Sequence, residues 1–326
     1  MRRAVVTVLV LTALTSCSGA SDDPVAPGEA SVSFTWLGVT HWLVQHQDKT
    51  ILLDAYFSRP APDVTEPTEE GLDLMQRVLD AAGVDTIDLI LVGHSHFDHA
   101  VDCGAVALRT GAQVVGTQTT CLVAEAEGLP SERCTIVGTG DRVDIDGVSI
   151  RTIRTIHSNP TGIGLFDELD RPPSNVFNVP IGGVVSFLID FGDDLTVLYQ
   201  NSIGPLDGDD SSLEDYAANL EAVLGDAPDT TLWLSPVGFL SDAAELTEYY
   251  DRVRPRFVLA HHWDGLTPDI EAGTVTSFQP STAVTEATEA AGAALSTPDQ
   301  YFDRFVLTPD ALVRSDEAPV RDAFGL

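Results

Sequence analysis

The stretch "ILVGHSHFDHA", residues 90–100, gathers three of the chain's eight histidines and an aspartate into one short loop. It closes "TIDLILV", a nearly continuous apolar run of the kind expected of a strand buried on both faces. His94 and His96 fall directly after that strand. Residues i and i+2 in extended geometry project to the same side, so both imidazoles can reach one ion at Zn–N distances near ~2.1 Å. Where the chain turns into a helix at Asp98 and His99, this second pair is offset and can serve another ion a few ångströms away. The loop is therefore expected to bind metal.

Upstream, "SVSFTWL", "HWLVQH" and "TILLDAYF" read as short strands. A proline-rich loop (Pro60, Pro62, Pro67) leads to "GLDLMQRVLDAAG", which has apolar residues at helical spacing and Gly83 to end it. Downstream, the pattern predicts a helix over 100–109, the strand "AQVVGT", a helix over 119–128, and then an all-β run of "CTIVG", "DRVDID" and "VSIRTIRTI". Residues 158–180 carry six prolines and glycines and no periodicity. A loop this long is usually a flap over a site, with an ornamental insertion as the alternative. Strands resume with "GGVVSFLIDFG" and "LTVLYQ". Helices near 212–224 and 242–252 alternate with "TTLWLS" and "RFVLAHH", a last helix covers about 283–293, and "FVLTPD" is the final strand. Each half runs from strands to helices, which points to two packed sheets with helices outside.

The chain has 326 residues, 44% hydrophobic and 21% charged, and reads as globular. Its net charge is −33, from 50 acidic against 17 basic residues, and Lys49 is its only lysine. A field of that sign repels nucleic acid, so no nucleic-acid partner is expected. The first residues, "MRRAVVTVLVLTALTSC", resemble a bacterial lipoprotein signal: two arginines, an apolar run too short for a comfortable span, and "LTSC". The resemblance implies cleavage before Cys17 and lipid on its thiol, with 17–30 a flexible tether. The expected product is an exported bacterial lipoprotein, membrane-anchored and facing the periplasm or cell exterior; an ordinary cleaved signal is the alternative. An exported compartment permits disulfides. Cys121 and Cys134 flank a short helix and a turn and could meet, although spacing alone does not prove a bridge.

"ILVGHSHFDHA" resembles the metal-binding signature of the metallo-β-lactamase superfamily. The resemblance covers nearly the whole chain from about Val32. It implies an α+β fold, an αβ/βα four-layer sandwich of two mixed sheets flanked by helices, here a single domain over 31–326. It also implies one or two metals, mostly zinc, at the sheet edges. Asp54 in "ILLDAYFSR" fits an aspartate that supports the site. His157 falls where a third histidine joins His94 and His96. His262, before Trp263-Asp264 in an "HWD" ending, would join Asp98 and His99, with neighbouring His261 the competing choice. The superfamily's Gly-Asp, whose aspartate bridges both ions, is replaced by Asn201-Ser202 in "TVLYQNSIG"; either residue could take the aspartate's position. Neither is a strong ligand, so one tight zinc (His94, His96, His157) and one weaker ion (Asp98, His99, His262) are expected. Iron or manganese also suits these donors, and a redox di-iron site is a third reading.

The implied activity is a metal-dependent hydrolase that uses a zinc-activated water on a small ester, lactone or phosphodiester-type substrate, with Asp98 orienting the nucleophile or accepting its proton. His41 in "GVTHW" either reaches the mouth of the site or packs in the core. Lys49 lies in a turn, so no lysine is placed to hold a β-lactam carboxylate. The alternative function is a catalytically diverged metal- or ligand-binding surface lipoprotein. The sequence carries no indication of oligomeric state.

Overall fold

A computed structural model describes residues 30–326 except 60–65, 158–167, 207–214, 226, 228, 241, 267–268, 274 and 276–280. Cys17, the lipoprotein signal and the first part of the expected flap, residues 158–167, lie outside the described residues.

The first half lays down β1 (Val32–Trp36), β2 (Trp42–His46), β3 (Lys49–Leu53), α1 (Glu69–Ala82), β4 (Leu89–Leu91), α2 (Phe97–Ala100), α3 (Cys103–Thr110), β5 (Gln113–Gly116), α4 (Gln118–Ala126) and β6 (Cys134–Ile136). The second half adds β7 (Arg142–Ile145), β8 (Val148–Thr155), β9 (Val184–Asp190), β10 (Thr196–Tyr199), α5 (Tyr216–Leu224), β11 (Leu232–Ser235), α6 (Ala243–Val253), β12 (Phe257–Ala260), α7 (Thr282–Ala290) and β13 (Ala294–Ser296). The chain then returns to the first sheet with β14 (Arg304–Leu307) and β15 (Leu312–Arg314) and ends in α8 (Pro319–Phe324). The sheet orders are β15-β14-β1-β2-β3-β4-β5-β6 and β13-β12-β11-β10-β9-β8-β7. Both are mixed: β3, β4, β5 and β6 run parallel, as do β10 to β13, while the remaining pairs are antiparallel.

The two sheets face each other. Alternation along β10 shows how: Val197 and Tyr199 join the core shared with the first sheet, while Leu198 joins a second cluster with Leu220 of α5 and Leu246 of α6. That is the period-2 burial of a strand covered on both faces. On the opposite outer face, α1 lays Leu72, Met75, Val78 and Leu79 inward. Thr68 caps its start by accepting from the Gly71 amide, and Gly83 ends it at φ 68°. The expected sandwich of two mixed sheets flanked by helices is the observed fold.

Three local expectations change. The helix read over 100–109 is broken into α2 and α3, because Asp102 leaves helical geometry and its carboxylate accepts from the amides of Phe57 and Ser58 and from the Ser58 hydroxyl. The helix read over 283–293 is not the last, and "FVLTPD" is not the final strand. β13, β15 and α8 are only three to six residues long, too short to show a period in sequence. Cys121 and Cys134 form a disulfide joining α4 to β6.

Candidate metal centre

Among the described residues, the candidate ligands come from loops and from the short helix α2 at one end of the two sheets. After β4 the chain extends through Gly93 to His96 and turns into α2. His94 and His96 sit on the extended part, Asp98 and His99 on the first turn. His157 lies two residues past the end of β8. The structure brings His94, His96 and His157 together as one group of potential ligands, and Asp98, His99 and His262 as another, with the ligand atoms of each group within 4.8 Å of one another. The groups are adjacent: the rings of His94 and His99 are 4.1 Å apart.

The donor chemistry of each triad fits a cation. His94 Nε2 lies 3.1 Å from His96 Nδ1. Burial holds the pKa of both imidazoles below the ordinary histidine value, reinforced at His94 by the neighbouring histidines. Two neutral ring nitrogens facing each other at that distance suit an ion placed between their lone pairs. In the second triad, Asp98 Oδ2 is 3.3 Å from His99 Nε2 and 3.5 Å from His262 Nε2. Burial opposes charge on His99, but Asp98 and Asp54 outweigh it and raise its pKa to about 10. Without metal, a proton therefore supplies the positive charge this triad demands. Burial and the His99 charge push His262 down to about 3, which leaves a lone pair there.

Asp54 supports both triads. It sits just past β3 at φ 56°, a left-handed conformation that Asp tolerates better than most residues. Its buried carboxylate accepts from Thr40 Oγ1 (2.5 Å), His99 Nδ1 (2.7 Å), the Gly93 amide (3.0 Å) and Asn201 Nδ2 (3.1 Å to each oxygen). With both oxygens engaged, Asp54 orients ligands rather than binding an ion. Thr40 Oγ1 also lies 2.8 Å from His99 Nδ1. Thr40, which the sequence did not single out, enters the site, whereas His41 takes the second of its two expected places and packs in the core. His41 is fully buried with its ring edge-on to Phe57 at 4.4 Å, outside both triads, and burial with the Arg59 charge holds its pKa well down.

Backbone geometry separates His261 from His262. The His261 amide still pairs with Ser235 of β11, whereas the His262 amide crosses to Val39 O in the β1–β2 turn, at φ 60°. His261 spends both ring nitrogens elsewhere: Nδ1 accepts from Trp42 Nε1 (2.9 Å) and Nε2 donates to Gln200 O (2.8 Å). It is a structural histidine. The rest of "HWD" clamps the turn that receives His262. Trp263 stacks on Trp36 at 5.7 Å. Buried Asp264 accepts from the Val39 amide (2.8 Å) and Tyr301 OH (2.9 Å) and pairs with Arg59 (3.4 Å). Val39 is β-branched yet sits at φ 51°, so this clamp holds a strained turn.

Asn201 and Ser202, just past β10, are both buried. The Asn201 side chain is turned toward Asp54 and His94. Gly204 follows, where an added Cβ would stand 3.0 Å from His157 O, so this loop packs directly on the His157 backbone. The described part of the long segment also borders the site: Phe177 packs on Phe97 at 5.6 Å, and Ile181 O, just past the segment, accepts from the Ser95 amide (3.1 Å).

A family model, the Beta-lactamase superfamily domain, matches residues 33–262. The chain belongs to the β-lactamase superfamily. The matched superfamily region runs from β1 to His262 and so contains both triads. A UPF0173 metal-dependent hydrolase of Myxococcus xanthus is 25% identical over 191 residues, 58% of each chain. Another from Methanopyrus kandleri is 24% identical over 239 residues, 73% of this chain and 86% of the relative. Among solved structures, Igni18, a metallo hydrolase from Ignicoccus hospitalis, superposes with a TM-score of 0.54 at 16% identity, covering 85% of this chain and 98% of that one. That likeness supports the superfamily sandwich and nothing finer.

Proposed function

We propose that the protein is a metal-dependent hydrolase that cleaves a small ester or lactone. One observation carries this reading: two adjacent triads of potential ligands stand together, on the fold of relatives named metal-dependent hydrolases. A divalent ion, zinc in our reading, would polarise the scissile carbonyl and make a water nucleophilic near neutral pH. Three imidazoles (His94, His96, His157) suit zinc, while Asp98, His99 and His262 also suit iron or manganese. The chain's own residues supply the rest. Asp98, which touches His99 and His262, would orient the attacking water and take up its proton. Phe239 is 46% exposed, and its ring meets that of His262 edge-on at 4.9 Å. An apolar acyl group would rest on it. The strong negative charge disfavours polyanionic substrates and places phosphodiesters behind esters and lactones. In this reading the lipidated Cys17 holds the enzyme at an exported membrane face.

The test is a screen of the purified zinc-loaded protein against lactones, carboxylic esters, thioesters, phosphodiesters and β-lactams. Ester or lactone turnover that disappears in His96→Ala supports the proposal; a metal-loaded protein inert to the whole panel defeats it. A second reading, a metal-binding lipoprotein without catalysis, draws on the missing bridging carboxylate, since Asn201 and Ser202 stand where the superfamily's Gly-Asp would. That inert result would favour it.

A further inference from the structure

We propose that Asn201 is a positioning residue that carries the influence of Asp54 across to His94, so that one buried carboxylate orients an imidazole in each triad. The inference rests on reading the triads as metal sites. His99 receives Asp54 directly through Nδ1 (2.7 Å). His94 lies one group further away: its Nδ1–H donates to Asn201 Oδ1 (3.1 Å), and Asn201 Nδ2 donates to both oxygens of Asp54 (3.1 Å each). The chain of donors has a single direction, from His94 through the amide to the carboxylate, and only a group with an acceptor on one side and a donor on the other completes it. Aspartate at 201 would set a second carboxylate against Asp54 in a fully buried place. Leucine would leave the His94 N–H unpaired. Serine is too short to span both partners.

Packing shows that the side chain is accommodated rather than incidental. A Cβ at Gly93 would stand 2.2 Å from the Asn201 amide, so Gly93 leaves the space Asn201 fills. In the alignment that sets Ser202 at the aspartate's position, the resemblance to the superfamily implies glycine at 201. The exchange of that glycine for asparagine, beside the exchange of aspartate for Ser202, therefore builds a polar link beneath His94 at the point where the ion-bridging carboxylate is lost. The link holds His94 in its Nδ1–H tautomer and leaves Nε2, the atom facing His96, as the lone pair.

The experiment uses the full chain loaded with Zn(II), chelator competition to measure retention of each ion, and long-range proton–nitrogen NMR to read histidine tautomers. Asn201→Ala is expected to weaken one ion about 10–100-fold, the usual effect of removing a ligand's outer partner. It should leave the other ion unchanged and expose the His94 Nδ1 proton to rapid solvent exchange while that of His99 stays protected. Asn201→Gly, which adds no atoms to the site, should behave alike and serves if the alanine variant does not fold. Unchanged retention and an unchanged His94 signal in whichever variant folds, with one ion lost in His96→Ala, would overturn the proposal. Unchanged zinc retention in His96→Ala would instead overturn the metal reading beneath it.

Discussion

The two triads share one loop, yet they are charged and buttressed differently. His94, His96 and His157 form an all-imidazole set, and burial keeps its first two members unprotonated. Asp98, His99 and His262 form a set with one carboxylate, in which His99 is flanked by Asp54 on one ring nitrogen and Asp98 on the other. The first triad reaches Asp54 through an amide, the second directly. The first is ready for a cation; the second holds a proton in the cation's place. Two sites of such different character, with no bridging carboxylate to fuse them among the described residues, should behave as separable sites.

The largest effect tests that separability. His96→Ala is expected to remove one ion and lower hydrolysis at least about a hundredfold, with the ion at the second triad retained. Asp98→Ala should do the reverse to metal content and abolish turnover to a similar degree. Elemental analysis after dialysis reads both. Loss of both ions from either variant would mean that the triads act as one fused site.

Next in size is a change that strikes the second triad from behind. Asp264→Ala removes an ion-pair partner of Arg59, whose side chain is 6% exposed, and releases the Val39 turn that receives the His262 amide. Breaking a buried ion pair by deleting one partner costs about 3–5 kcal/mol. Denaturant unfolding should show that loss, with the second ion weakened and the first unaffected. A normal second ion in a destabilised protein would show that the clamp serves the fold alone.

How far the sequence revealed these sites depended on whether the signal was local. His94, His96, Asp98 and His99 were legible because a strand, a loop and a helix start lie in one contiguous stretch whose geometry is generic. His262 was preferred to His261 only through the resemblance, since a left-handed backbone at His262 defeats the alternation of a strand. Thr40 was missed because a threonine in a turn signals nothing until Asp54 is seen 2.5 Å away. Asn201 was noticed as a missing ligand; its bonds to His94 and Asp54 join residues more than a hundred positions apart. The layered fold was legible from apolar runs, while the three-residue strands β13 and β15 take their form from neighbours rather than from their own periodicity.

Proton competition sharpens the contrast further. At pH 7 the second triad must release the His99 proton, held up to about 10, before it binds a cation, whereas His94 and His96 hold none. Affinity at the second triad should therefore rise about tenfold per pH unit from pH 7 toward that value, because each unit is worth 1.36 kcal/mol. The first triad should be nearly flat over the same range. Chelator competition at pH 7 and 8.5 measures both slopes. Equal slopes would remove the proposed cause of the second site's weakness.

The smallest expected effect is a gain. Asn201 is committed to His94 and Asp54, which leaves position 202 as the place to restore a bridging carboxylate. Ser202→Asp should raise retention of the second ion several-fold, since an anion shared by two cations offsets their repulsion. Without metal, the same variant adds a third carboxylate to a region that already buries Asp54 and Asp98, so its apo form should melt lower than the wild type. The signature is thus a widened gap between apo and zinc-loaded melting temperatures. A lower apo melting temperature with no gain in retention would show that position 202 does not face the ions, and that the two triads are kept apart by the backbone of this loop rather than by one missing acid.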